Sequence, residues 1–122
     1  MTAGLAVILG AFGAHMLKDK IAPEQLSVFE TGVRYQFYHS IALLIAGIGY
    51  RYLSKKHIKL AAAFFLTGTV LFCGSLYLMV ALSMYNMAIG PVGVLTPIGG
   101  LFFILGWIMF FIGVSKRDMN LP

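Results

Sequence analysis

From Leu60 to Ser115 the chain carries no Lys, Arg, Asp or Glu. As one helix this stretch would be about 84 Å long at about 1.5 Å per residue, far more than a bilayer core of about 30 Å. It must therefore fold back on itself. The break is written in Gly90-Pro91-Val92-Gly93 and in Pro97, residue types that stop or bend helices. A soluble domain of 122 residues with 60% hydrophobic and 11% charged residues would have too little polar surface to face water. Soluble domains run at about 45–50% apolar and about 25% charged, and disordered chains are more polar still. The expected class is an all-α integral membrane protein.

Four apolar spans are predicted within a single transmembrane domain, 1–122: about 2–17, 35–53, 60–85 and 98–114. The first is uncharged but short for a crossing, and it lacks the basic leader of a cleaved signal peptide. The fold is therefore expected to be a four-helix bundle with a short interfacial helix between spans one and two. That helix would begin at Pro23, carry Leu26, Phe29 and Val33 at helical spacing, pair Glu30 with Arg34, and bend at Gly32.

The nine Lys and Arg flank the apolar runs. Arg51, Lys55, Lys56, Lys59, Lys116 and Arg117 fall on one side, and Lys18, Lys20 and Arg34 on the other. This asymmetry predicts both termini in the cytoplasm of a cell-membrane protein. No basic stripe interleaved with exposed aromatics appears, so nucleic acid is not an expected partner. The single cysteine, Cys73, excludes an intramolecular disulfide and reads as a small packing residue.

The polar residues gather around the second span. Thr31, Tyr35 and His39 form one i,i+4 row, and Glu30, Arg34 and Tyr38 form the row beside it, with Gln36 close by. His15, about one turn from the end of span one, is expected at the same depth as His39. The cluster His15, Glu30, Thr31, Arg34, Tyr35, Gln36, Tyr38 and His39 is thus placed on the outer edge of the membrane. Intramembrane ionisable groups are functional candidates; a sealed corner of mutually bonded side chains accounts for the same residues. Two histidines and a carboxylate have the chemistry of a metal site, but the spacing H-x-x-x-H or H-E-x-x-H is missing. No metal and no cofactor is expected.

Small residues recur at helical spacing: Ala6, Gly10 and Ala14 in span one, Ala42 and Ala46 in span two, and Gly99, Gly106 and Gly113 in span four. Such stripes let helix backbones approach closely, either within the bundle or between copies in a homo-oligomer. Span three offers Thr67, Thr69, Ser75, Tyr77 and Ser83, whose hydroxyls ordinarily bond to their own helix. Trp107 and the phenylalanines read as core or lipid-facing residues.

Three stretches read together carry a resemblance: Gly10-Ala11-Phe12-Gly13-Ala14-His15, then Thr31-Gly32-Val33-Arg34-Tyr35-Gln36-Phe37-Tyr38-His39-Ser40, then Thr96-Pro97-Ile98-Gly99-Gly100. They are similar to the small bacterial membrane-protein family of unknown function typified by YwdK and YgdD. The resemblance covers nearly the whole chain and implies a four-span inner or plasma membrane protein. Members usually have a longer first span. The resemblance singles out His15, Thr31, Gly32, Arg34, Tyr35, Gln36, Tyr38 and His39 without assigning them a chemical role.

Two functions follow as expectations. One is a non-enzymatic multi-pass protein whose outer polar site binds lipid headgroups or a partner protein, with membrane lipids as its partners. The other is a small oligomeric transporter or channel using His15 and His39. An enzyme is the least supported, because the sequence assembles no catalytic constellation.

Overall fold

The computed structural model describes residues 1–116. Among them the chain forms four helices: α1 (Thr2–Leu17), α2 (Pro23–Gly49), α3 (Lys55–Met84) and α4 (Val92–Ser115). Two stretches are widened to π-helical turns without breaking their helices, Gly13–Leu17 at the end of α1 and Thr69–Cys73 midway along α3. α3 and α4 are long and apolar enough to cross a membrane; α1 is apolar but shorter.

Two helix ends have a clear local cause. Pro23 occupies the first turn of α2, where its missing N–H costs nothing. α3 closes on Asn86 in the left-handed region (φ 54°). Met87 N–H donates to Leu82 O at 2.9 Å and Asn86 N–H to Ser83 O at 3.1 Å, which is a Schellman closure. The turn between α2 and α3 is fastened to the far end of α4 by Ser54 N–H to Gly113 O, 3.2 Å.

The expected short interfacial helix does not exist as a separate element. Residues 23–34 and the second span are one continuous 27-residue helix. The charges of this segment suggested a surface piece, yet they occupy one stripe, while Phe29, Gly32, Gln36, His39, Ala42 and Ala46 keep a single face buried. Gly32 is no bend: a Cβ there would lie 2.7 Å from the Tyr77 ring, so its small size lets α2 and α3 touch. Pro97 likewise ends nothing. It lies in the second turn of α4, which begins six residues before the expected start of that span.

Neighbouring helices run antiparallel. α1 lies on α2, with Gly13 against Phe29 and Gly10 against Val33. α2 lies on α3, with Gly32 against Tyr77 and His39 against Phe65. α4 runs along α3 through its glycine row: Gly99 meets Phe72, Gly106 meets Phe65 and Gly113 meets Ile58. The Gly99–Phe72 approach is the closest, since a Cβ on Gly99 would run into the Phe72 backbone nitrogen. The main core comprises Ala42, Ala61, Phe65, Cys73 and Phe103, and a smaller one joins Leu17, Phe29 and Val80. The outside is apolar too, with Ile45, Ile48, Val70, Leu101, Ile104 and Phe111 all exposed, as helices surrounded by lipid require.

Candidate functional site

The conspicuous polar residues of α2 part into an inner seam and an outer face. Their positions around the helix decide this. Gln36, His39 and Ser40 fall on the buried face, while Glu30, Arg34 and Tyr38 fall on the exposed one.

In the seam, Gln36 bridges three helices. Its Nε2 donates to the Thr2 carbonyl at 2.9 Å, and its Oε1 accepts from the Tyr77 hydroxyl at 2.8 Å. One turn on, Ser40 Oγ lies 2.6 Å from Gln36 O and 2.9 Å from Thr2 Oγ1. Near the start of α2, the Gln25 amide donates to the Ser83 hydroxyl.

His39 faces the other side, towards α3 and α4. Its Nδ1 is 2.7 Å from Tyr35 O, an acceptor, and its Nε2 is 3.2 Å from Trp107 Nε1, whose N–H can only donate. These partners define the tautomer with hydrogen on Nδ1. The imidazole stacks on Phe103 with ring centres 3.5 Å apart and planes within 8°. Tyr35 packs on Phe72 at 4.7 Å, and the same rings wall a cleft of about 400 Å³ beside α4. Among the described residues no buried side-chain nitrogen or oxygen lacks a partner.

This geometry corrects the sequence reading of the histidines. His39 is level with Phe65, Phe103 and Trp107, well inside the ends of α3 and α4, and not at an outer edge. His15 is exposed at the far end of α1, beyond Gly13, which is level with Phe29. The two are therefore not at one depth. The shift arises because α2 starts at Pro23, which moves His39 more than two turns deeper than a span starting at Tyr35 implies. Among the described residues no hydrogen bond or ion pair joins Glu30, Thr31 or Arg34 to either histidine. Arg34 Nη2 reaches back to Thr31 Oγ1 at 3.4 Å, so the expected Glu30–Arg34 pair does not organise this face.

On the outer face, Arg34 and Tyr38 stand at the rim of an apolar groove of about 410 Å³ between α1 and α2. Ala6, Gly10 and Ala11 form its α1 wall, and Val33 and Phe37 line the α2 side. Tyr38 is 57% exposed.

The small-residue stripes close contacts inside the chain. Gly99, Gly106 and Gly113 are buried on α3, Ala42 and Ala46 are buried within α2's packed face, and Ala6 and Gly10 face α2; Ala14 alone is exposed. The seam partners Thr2, Ser40, Tyr77, Phe103 and Trp107 were not anticipated. Ser40 was accessible from spacing alone, since Gly32, Gln36 and Ser40 form an i,i+4 row. Trp107 was not, because its contact depends on how α4 is rotated against α2.

An all-helical chain with an apolar exterior, a fully paired polar interior and basic residues at its helix ends is a membrane protein. Residues 9–100 match the family described as "Protein of unknown function (DUF423)". The chain belongs to this family, and its curated relatives are called UPF0382 membrane proteins. One relative, from Staphylococcus aureus (strain bovine RF122 / ET3-1), is 41% identical over 95% of this chain and 90% of its own length. YwdK of Bacillus subtilis (strain 168) is 41% identical over 92% of this chain and 88% of its own. A third, from Staphylococcus saprophyticus, is 40% identical over 95% and 92% respectively. No solved structure matches the chain.

Proposed function

We propose that the protein is a non-enzymatic lipid-binding protein of the cell membrane, and that the α1–α2 groove holds an anionic phospholipid. One observation carries the reading: the exposed Arg34 lines an otherwise apolar groove on the outside of the α1–α2 pair. A guanidinium matches a phosphate with two parallel N–H donors, the groove is shaped for an acyl chain, and Tyr38 suits the interface.

The depth is right for this. About 20 residues inward from Leu60, the span that crosses a bilayer core, reach Met79. Gly32 is level with Tyr77, so Arg34 lies within about two turns of the boundary, where a long side chain extends to the headgroups. The reading is one of binding, because a guanidinium and a phenol hold an anion but offer no activated nucleophile. The basic turn and tail favour a cytoplasmic location for the α2–α3 turn and for both termini. A cysteine introduced at position 56 is then labelled only from the cytoplasmic side.

Native mass spectrometry of the purified protein tests the proposal, with phosphatidylglycerol offered against phosphatidylethanolamine. The wild type retains the anionic lipid preferentially, and Arg34→Ala loses a bound copy. Ala11→Trp, which fills the groove and keeps the charge, loses it as well. Undiminished retention in both variants overturns the reading.

A further inference from the structure

A second groove lies at the opposite end of the molecule, between α2 and α3. It is about 240 Å³ in volume, with Ala46, Gly47 and Ala62 along its floor and Tyr50 and Lys59 at its mouth. Nothing lies within 4 Å of where a Gly47 Cβ would stand, so the floor is open. The Lys59 ammonium is 5.8 Å from the centre of the Tyr50 ring, inside cation–π range, which holds the charge over the opening. Lys55 is one turn before Lys59 on the same face of α3, and both are exposed.

The charge at this end is unbalanced. Arg51, Lys55, Lys56, Lys59 and Lys116 all lie here, whereas the acidic residues of the described chain, Asp19, Glu24 and Glu30, all lie in the first connection or the first half of α2. Apolar walls below a cluster of cations, with no carboxylate at this end among the described residues, are complementary to a molecule with a negative head and a hydrocarbon tail. Basic clefts between transmembrane helices at the membrane surface take anionic headgroups in this way.

We infer that this α2–α3 groove is a second lipid site, which seats an acyl chain of an anionic phospholipid of the leaflet facing the α2–α3 turn and holds its phosphate at Lys59 and Lys55. It shares no residue with the Arg34 groove and does not depend on it.

Native mass spectrometry in the Arg34→Ala background isolates this site, with phosphatidylglycerol as the probe and phosphatidylethanolamine as the neutral competitor. The Arg34→Ala protein still prefers phosphatidylglycerol. Adding Lys55→Gln and Lys59→Gln weakens its binding by about fivefold for each lysine and about twenty-five-fold for both, as expected for about one unit of surface attraction per cation. Gly47→Leu leaves every charge in place and fills the floor, so it lowers retention through the tail alone. Unchanged phosphatidylglycerol retention in the double lysine variant overturns the site. So does full retention in Gly47→Leu, which would reduce the effect to surface charge, and so does displacement of the lipid by an equal concentration of inorganic phosphate.

Discussion

The seam and the outer face of α2 use the same kinds of side chain to opposite ends. In the seam, Gln36, His39 and Ser40 are buried and every one has protein partners. On the outer face, Arg34 and Tyr38 are exposed beside a groove, and Arg34's hydrogen bond to its own helix is long at 3.4 Å. A polar group inside a bilayer has to be satisfied by something. Where the protein supplies close partners, the group fixes how helices pack; where it supplies only one long bond, as at Arg34, the proposed lipid would complete it. Polarity alone therefore does not mark a site. The presence or absence of a protein partner does.

Substitutions sharpen this contrast. The largest effect is expected at His39→Ala, which removes a buried ring stacked on Phe103 and leaves the Trp107 N–H unpaired. Unfolding in mixed micelles should reveal a loss of about 2–4 kcal/mol, and a loss below 0.5 kcal/mol would mean that the seam is not a packing device. Next comes Gly32→Val, which forces α2 off Tyr77 and disturbs the Gln36 bridge as well. About 1–3 kcal/mol is expected from the same measurement. Gln36→Leu separates the bridge from the packing by keeping a similar volume. Its cost should be about 1 kcal/mol, because a membrane hydrogen bond contributes modestly, and no change in anionic-lipid retention should accompany it. The smallest effect on stability belongs to Arg34→Ala, within about 0.5 kcal/mol, although the same change removes bound lipid. An Arg34→Ala protein as damaged as His39→Ala would abolish the distinction between seam and face.

Much of the architecture was legible in where charge is missing. The charge-free run from Leu60 to Ser115 required two helices, and the structure has α3 and α4 there. The flanking cations marked the helix ends. The continuity of α2 was hidden because Glu24, Glu30 and Arg34 resemble the charges of a surface segment when counted along the chain. Around the helix they occupy the exposed stripe, and Phe29, Gly32, Gln36 and His39 continue one buried face through them. That single misreading also misplaced His39, since depth is counted from a helix start. The seam itself was only partly visible. The Gln36–Ser40 row is a matter of spacing within one helix, whereas the bonds from Thr2, Tyr77 and Trp107 depend on the mutual rotation of helices, on which periodicity is silent.

The hydrogen bond between Trp107 and His39 has a practical meaning. Trp107 is the only tryptophan of the chain, and its indole nitrogen, on α4, points 3.2 Å from an imidazole nitrogen on α2. The molecule thus carries its own optical gauge, well inside the helix ends. Any event that slides or rotates one of these helices against the other changes the surroundings of a single chromophore, so the native emission spectrum reports internal motion without a label.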